Sequence, residues 1–270
     1  MSEDLKQALN KVPQVALAFW IIKICATTLG ETAGDALSMT MGLGYAVSTG
    51  IFFALFVVTA AAQIRAKSFH PYLYWAVIIA TTTAGTTMAD YSDRSLGIGY
   101  TGGSIILGVL LVLVLGIWKS SVGSVSVNAI TSPKVEMFYW ATILVSNTLG
   151  TALGDWLADD SGLGFGGAAL VFSGALALVA GAYFCTKMSH TLLFWLAFIL
   201  TRPLGATLGD LLTKPHTEGG LNLSRINSSS AIAMFVLGLL LFTPQRAGGH
   251  PGAAEGIPGG APIPDPPEAS

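Results

Sequence analysis

The sequence predicts an all-α membrane protein, a polytopic bundle of about eight transmembrane helices in four parallel two-helix repeats. Three observations carry this prediction: a composition poor in charge, a series of apolar segments of membrane-spanning length, and a short motif that occurs four times. Of the 270 residues, 52% are hydrophobic and 10% are charged, whereas a soluble domain carries about 25% charged residues. The lipid bilayer is therefore the first partner we expect.

The apolar segments define the expected helices. Each has about the 17–25 residues that a helix needs to cross a hydrocarbon core ~30 Å thick. Helices are expected because lipid cannot satisfy open backbone groups. No cleavable signal sequence is evident, so the first segment is expected to be a retained span. The segments are roughly 14–37, 44–64, 71–92, 99–118, 135–158, 164–186, 190–212 and 227–243.

The basic residues predict the orientation. Most of them, including Lys67, Lys134 and Lys187, fall on one side of an eight-span chain. The positive-inside rule then places both termini in the cytoplasm, and we expect the bacterial cytoplasmic (inner) membrane. The net charge of −2 gives no indication of nucleic acid binding. The basic residues on the opposite side are Arg94, Lys214 and Arg225.

The repeated motif is a glycine, then a glycine or alanine four residues later, then an aspartate. The leading glycines, separated by 55, 65 and 55 residues, are Gly30, Gly85, Gly150 and Gly205. Since each unit holds two spans, the chain returns to its starting side and all units share one orientation. Two units make a half, which predicts a first half at 1–124 and a second at 125–245. Residues 246–270 are rich in Gly and Pro and predict a disordered tail.

The motif places two different strips along each odd-numbered helix, because residues four apart share a face. One strip consists of small residues and is expected to let helices approach closely in lipid. Its glycines are Gly30, Gly34, Gly85, Gly150, Gly154, Gly205 and Gly209. The large aromatic residues are expected to face lipid or the interface instead; they include Trp20, Trp75, Trp118, Trp140, Trp156 and Trp195.

The neighbouring strip is polar in every copy, which is costly in a membrane unless the residues have a role. It predicts a shared cation site, although each aspartate could instead cap a helix end. Oxygen donors without His or Cys suit Mn, Mg or Ca. The candidate ligands are Glu31, Asp35, Asp90, Asp155, Asp210, Thr86 and Thr151, and the possible counter-ions are Lys23 and Arg202. Counting only these charges, the centre carries about −3.

The four units are not expected to be equivalent. Asp35 has Glu31 one turn below it, so the first unit is the predicted main ion-binding element. Asp90 and Asp155 would complete the site. Asp210 has Arg202 two turns below it and is expected to be mainly structural.

The fourfold motif resembles a family of bacterial integral membrane proteins built from a repeat of unknown function. The resemblance covers residues 14–243 and implies an integral membrane protein. A looser likeness links Glu31-Thr32-Ala33-Gly34-Asp35 to manganese and calcium exporters that carry a Glu-x-Gly-Asp motif. This sequence has one extra residue between Glu and Gly, and the other copies replace the Glu by Thr86, Thr151 and Ala206.

Together these observations predict a transporter for a divalent metal cation, with Mn²⁺ efflux as the first expectation. The cation would be a substrate, and no permanently bound cofactor is expected. The alternatives are a proton-coupled transporter of a small organic cation, or a structural membrane protein that transports nothing. An intramembrane aspartyl protease is disfavoured, because four equivalent aspartates suggest a ring and not an acid/base pair. The sequence does not indicate an oligomeric state.

Overall fold

The computed structural model describes residues 11–126, 130 and 132–248. Within them the chain is helical without β-strands, apart from one isolated bridge between Pro13 and Ala247. The all-helical prediction is confirmed, and each helix begins and ends within a few residues of its predicted apolar segment. The helices are α1 (Leu17–Asp35), α2 (Gly44–Arg65), α3 (Pro71–Asp90), α4 (Gly99–Val122), α5 (Pro133–Asp155), α6 (Gly164–Cys185), α7 (His190–Thr213) and α8 (Arg225–Phe242).

The odd-numbered helices form a closed inner ring. Helix α1 packs against α3, α3 against α5, α5 against α7, and α7 back against α1. Their C-terminal ends meet, since Arg94 contacts both Asp90 and Asp155 and Lys214 contacts both Asp35 and Asp210. Their N-terminal ends also meet, where the hydroxyl groups of Tyr74 and Tyr139 are 2.8 Å apart. The four helices of the ring therefore run parallel to one another.

Each even-numbered helix lies outside the ring and packs on the next odd-numbered helix along the chain. Helix α2 packs on α3, α4 on α5, α6 on α7, and α8 returns to α1. The packed pair is therefore not the sequence repeat, because every unit places its second helix against the first helix of the following unit. This exchange ties neighbouring units together around the whole ring, including α3 and α5, which belong to different predicted halves.

Five of the described helices are long and apolar enough to cross a membrane, namely α2, α4, α6, α7 and α8. In the four outer helices no more than 22% of the most apolar window is buried inside the protein. The molecule thus has an apolar outer shell, which is compatible with a membrane protein. Helices α1, α3 and α5 are less apolar because they carry several Thr, Asn, Glu or Asp residues that face the ring interior.

The leading glycines are the points where ring helices approach most closely. A Cβ at Gly205 would lie 2.2 Å from Thr27 Oγ1 on α1, and one at Gly30 would lie 2.4 Å from Thr82 Cγ2 on α3. The same step around the ring brings a Cβ at Gly150 within 2.3 Å of Arg202 Cγ. Each of these glycines thus packs against a polar-strip residue of the next helix. The helices can approach this closely because the glycines lack a side chain.

A turn that requires glycine follows each of the first three ring helices. One π-helical turn extends α1, α3 and α5, at Ala36–Thr40, Tyr91–Ser95 and Trp156–Asp160. A Gly-x-Gly pair in left-handed conformation then reverses the chain; in the first unit it is Gly42 and Gly44, at φ +72° and +75°. Unit four has a 3₁₀ turn instead, His216–Glu218. Its left-handed residues are Gly219 and Asn222, so the fourth unit has no Gly-x-Gly pair in left-handed conformation.

The tryptophans correct one prediction. Trp75, Trp118 and Trp140 are 1%, 0% and 2% exposed and belong to an aromatic cluster at the N-terminal end of the ring, whereas Trp156 is 38% exposed. The equivalent residues Trp20 and Trp195 join the same cluster. Because the ring helices are parallel, the four equivalent tryptophans lie at the same end of the bundle. Their side chains fill the space between the helices there, where no glycines bring the helices close together. We call this cluster, with Phe19, Tyr74, Tyr139, Phe194 and Phe198, the aromatic floor.

The segments before α1 and after α8 meet beside the aromatic floor, where Trp75 Nε1 donates to Gln245 Oε1 at 3.3 Å. Lys11 Nζ lies 3.0 Å from Glu136 Oε1, and Gln14 N donates to Arg246 O at 2.9 Å. Arg246 to Gly248 are thus packed against the N-terminal segment. The remainder of the predicted tail lies outside the described residues.

Candidate functional site: the charged centre of the ring

The polar strips converge inside the ring as three layers, one helical turn apart. None of the twelve residues exposes more than 3% of its surface. The inner layer, nearest the aromatic floor, consists of Thr27, Thr82, Asn147 and Arg202. The middle layer consists of Glu31, Thr86, Thr151 and Ala206. The outer layer consists of Asp35, Asp90, Asp155 and Asp210.

An ion pair between the neighbouring helices α7 and α1 dominates the middle layer. Arg202 Nη2 lies 3.0 Å from Glu31 Oε2, and it also donates to the hydroxyls of Thr86 and Thr151. Ala206 offers no polar side chain to this layer, and the guanidinium of Arg202 reaches up from the layer below. Buried ion pairs persist only with such additional hydrogen bonds. Arg202 still has two nitrogens, Nε and Nη1, without a hydrogen-bond partner among the described residues.

Basic residues that follow the ring helices pair with the aspartates of the outer layer. Arg94 bridges Asp90 Oδ1 at 3.1 Å and Asp155 Oδ2 at 3.4 Å. Lys214 similarly bridges Asp35 Oδ2 at 3.6 Å and Asp210 Oδ1 at 3.4 Å.

A third base, Arg225 at the start of α8, lies 3.4 Å from Asp35 Oδ2. Four bases thus pair with the five carboxylates of the centre. With Lys23, which lies deeper in the ring, the formal charges of these ten residues sum to zero. The sequence-based count of −3 omitted Arg94, Lys214 and Arg225, because the side of the membrane does not reveal how far a long side chain reaches inward.

One signal in the sequence identifies two of these missed residues. Arg94 and Lys214 both lie nine residues after their leading glycine, Gly85 and Gly205. A base at this position sits one turn beyond the motif aspartate and can bind it as an i,i+4 pair. The first and third copies carry Met39 and Asp159 there, so the bases alternate around the ring.

The two expected counter-ions, Arg202 and Lys23, have different surroundings from each other. Arg202 pairs with Glu31 and not with Asp210, which pairs with Lys214. Lys23 lies one turn below the inner layer with 0% exposure, so it does not reach the interface. Its Nζ lies 4.1 Å from the centre of the Phe198 ring and has no hydrogen-bond partner in the described part of the chain.

Three predicted ligands come close enough together to share a cation. One carboxylate oxygen from each of Glu31, Asp35 and Asp90 lies within 4.8 Å of the others. Oxygen ligands stand about 2.0–2.6 Å from Mg²⁺ or Ca²⁺, so opposite ligands are about 4–5 Å apart. The three oxygens therefore fit around one ion with small movements. Asp90 Oδ2 is buried without a hydrogen-bond partner among the described residues.

Asp155 and Asp210 stand outside this triad. Their described partners are Arg94 and Lys214, respectively. Thr86 is adjacent to the triad, with its hydroxyl 3.2 Å from Glu31 Oε2. Among the described residues, Thr151 is joined to the triad only through Arg202.

The fold and the site define a class of all-helical, four-repeat proteins with a buried, ion-paired centre. The chain belongs to the family described as Repeat of Unknown Function (DUF347), whose sequence model matches residues 18–69, 73–123, 138–189 and 193–246. Each match covers one ring helix and the outer helix that follows it. No curated protein and no solved structure matches the chain.

Proposed function

We propose that this protein is a membrane transporter for a divalent metal cation, with Mn²⁺ first, that works in the direction of efflux. The observation that carries the proposal is the convergence of Glu31, Asp35 and Asp90 within 4.8 Å in the buried centre. The available donors are carboxylate and hydroxyl oxygens, which suit Mn²⁺, Mg²⁺ and Ca²⁺ better than softer metals.

When no cation is bound, the basic side chains around the triad supply the positive charge that pairs with its carboxylates. Asp90 is held by Arg94, Asp35 by Lys214 and Arg225, and Glu31 by Arg202. An entering divalent cation replaces these contacts, and the bases return when it leaves. The carboxylates are therefore always paired with either the bases or the cation. This avoids the cost of burying an unpaired carboxylate, which is several kcal/mol for each ion.

The same proposal places the protein in the bacterial inner membrane with eight spans and both termini in the cytoplasm. The apolar outer helices and the bias of the basic residues support it. Reporter fusions after Lys67, Lys134 and Lys187 should all report a cytoplasmic location. A signal from the opposite side at any of them contradicts the parallel orientation of the units relative to the membrane.

The direct test is metal flux in vesicles that contain the purified protein. We expect Mn²⁺ flux to be lost in Glu31→Gln, Asp35→Asn and Asp90→Asn. The matched control is Asp159→Asn, an exposed carboxylate in the connection after α5. Asp210→Asn should retain flux but melt at a lower temperature, because it leaves Lys214 with one partner fewer.

A panel of Mg²⁺, Ca²⁺, Mn²⁺ and small amines in the same vesicles separates the candidate substrates. Flux of an amine without metal flux would favour transport of an organic cation. Equal Mn²⁺ flux in the wild type and all three triad variants would refute the assignment of the site.

The complete pairing of the outer layer favours a second candidate, a structural role. Four aspartates bound to three bases could simply lock the ring ends together. In that case neither Mn²⁺ nor any other tested cation should raise the melting temperature of the purified protein, although a bound ligand would stabilise it. Asp35→Asn and Asp90→Asn would then lower the melting temperature without changing any flux.

A further inference from the structure

Lys23 is a buried ammonium group that the proposed ion site does not use. It lies on α1 two turns below Glu31, with 0% exposure. Its Nζ contacts the face of Phe198, an interaction worth about 2 kcal/mol when the cation is desolvated. Removing an ammonium from water costs several kcal/mol. The aromatic ring therefore does not compensate for the charge, and the described residues supply no carboxylate or hydrogen-bond acceptor to Nζ.

The charges of the centre are unevenly distributed along the ring axis. Towards the aromatic floor, Lys23 and Arg202 face one carboxylate, Glu31, which leaves one positive charge in excess. Towards the other end, the four aspartates face Arg94, Lys214 and Arg225, which leaves one negative charge in excess. The total is zero only when Lys23 carries its proton.

Helix α1, which carries Lys23, packs against α3, α7 and α8. Arg202 on α7 acts on it unfavourably, as a like charge. Helix α8 has no titratable residue between 226 and 242. The other titratable residues of α1, α3 and α7 are Cys25, Glu31, Asp35, Tyr72, Tyr74, Asp90, His190 and Asp210.

Of the two bases on the side of the aromatic floor, Lys23 and Arg202, only Lys23 is able to lose its proton. Arginine stays charged at any accessible pH, whereas a buried lysine deprotonates readily. A cation that binds Glu31 takes this carboxylate away from Arg202. Two positive charges would then remain in the inner half without an anion, and release of the Lys23 proton removes one of them.

We propose that Lys23 is a proton-binding site that exchanges one proton against the cation held by Glu31, Asp35 and Asp90. The inference rests on the proposed function and gives its coupling. On cation binding the ammonium becomes a neutral amine and the proton passes to water. On cation release Glu31 returns to Arg202, and Lys23 takes up a proton again. One proton moves against each cation through this residue.

The experiment measures Mn²⁺ binding and proton release together, with the full-length purified protein in detergent. Mn²⁺ alone is added in weak buffer with a pH indicator dye, across about pH 6 to 9. Lys23→Met is compared with Lys67→Met, which removes an exposed lysine from the connection between α2 and α3. We expect Lys23→Met to release up to one proton fewer per Mn²⁺. The pH dependence of its affinity should be shallower by up to tenfold per pH unit.

A second variant, Lys23→Arg, keeps the inner charge but cannot lose it. We expect Mn²⁺ to bind this variant more weakly than the wild type, most clearly at high pH, where the wild-type lysine is neutral. If Lys23→Met binds Mn²⁺ with the same proton release and pH dependence as Lys67→Met, the inference is wrong and the metal site survives. If the wild type binds no Mn²⁺, both the proposed function and the inference are overturned.

Discussion

Replacing Gly205 by alanine tests the packing of the ring at a single atom. The added Cβ would stand 2.2 Å from Thr27 Oγ1, 2.5 Å from Thr27 Cβ and 2.9 Å from the Thr27 carbonyl carbon. A rotamer change of Thr27 moves Oγ1 but cannot relieve the clash between the added Cβ and the backbone of Thr27. Ordinary carbon–carbon contacts lie at about 3.5–4.0 Å, so α7 and α1 must separate by about 1 Å.

The cost of this separation has two parts. Overpacking of a well-packed core costs about 1–3 kcal/mol. Helices α7 and α1 also carry Arg202 and Glu31, whose 3.0 Å contact would lengthen towards ~4 Å and lose a charged hydrogen bond. Such a bond contributes about 1.5–3 kcal/mol. Alanine regains about 1 kcal/mol of helix propensity, so the expected net loss is about 1.5–5 kcal/mol.

The matched control is Gly181→Ala in α6, where an added Cβ would meet nothing within 4 Å. This control should melt at or above the wild-type temperature, because it gains helix propensity without a clash. Thermal unfolding of the three purified proteins in one detergent measures the difference. Equal melting temperatures for Gly205→Ala and Gly181→Ala would refute the reasoning, since the ring would then tolerate a wider spacing.

Three further outcomes are expected. Burial raises the pKa of Asp93, in the turn after α3, to about 6; a raised carboxyl pKa means that stability falls as pH rises from about 4 to 6. Asp93→Ser should therefore melt above the wild type at pH 7, and a lower melting temperature there would contradict this. Trp75→Ala should cost about 3–5 kcal/mol and the exposed Trp156→Ala below about 1 kcal/mol, measured by denaturant unfolding. Arg94→Met should destabilise the protein more than Lys67→Met in the same measurement, because it leaves Asp90 and Asp155 buried without their described base.

The sequence predicted the helices well, because their bounds depend on local properties. Segment length, apolar content and the turn glycines each act within about twenty residues of the chain. The sequence also showed that the four motifs are equivalent, which correctly predicts that Asp35 and Asp90 lie in the same layer of the ring. The packing of α2 on α3 was not predictable in the same way, since both members of a repeat are equally able to bury an apolar face.

The site was predicted less completely, because its charges come from different depths. Glu31, Asp35 and Asp90 could be found from the spacing of the motif. Arg94 and Lys214 were assigned by topology to the far side of the protein, whereas their side chains turn back into the ring. Counting the charges in the connections does not show whether a side chain turns back into the ring. The shared position of Arg94 and Lys214, nine residues after the leading glycine, does indicate that they do.

The alternation of Arg94 and Lys214 makes the centre twofold in charge although the backbone repeats four times. Each base binds its own aspartate and that of the next unit, so the outer layer divides into the pairs Asp90–Asp155 and Asp35–Asp210. The Glu31–Arg202 contact breaks even this symmetry, because the halves carry different residues at the two positions. The carboxylate triad takes Asp35 and Asp90 from different pairs, so a cation bound there must disturb both bases. Cation binding would therefore act on both aspartate pairs at once, which a site within one pair would not do.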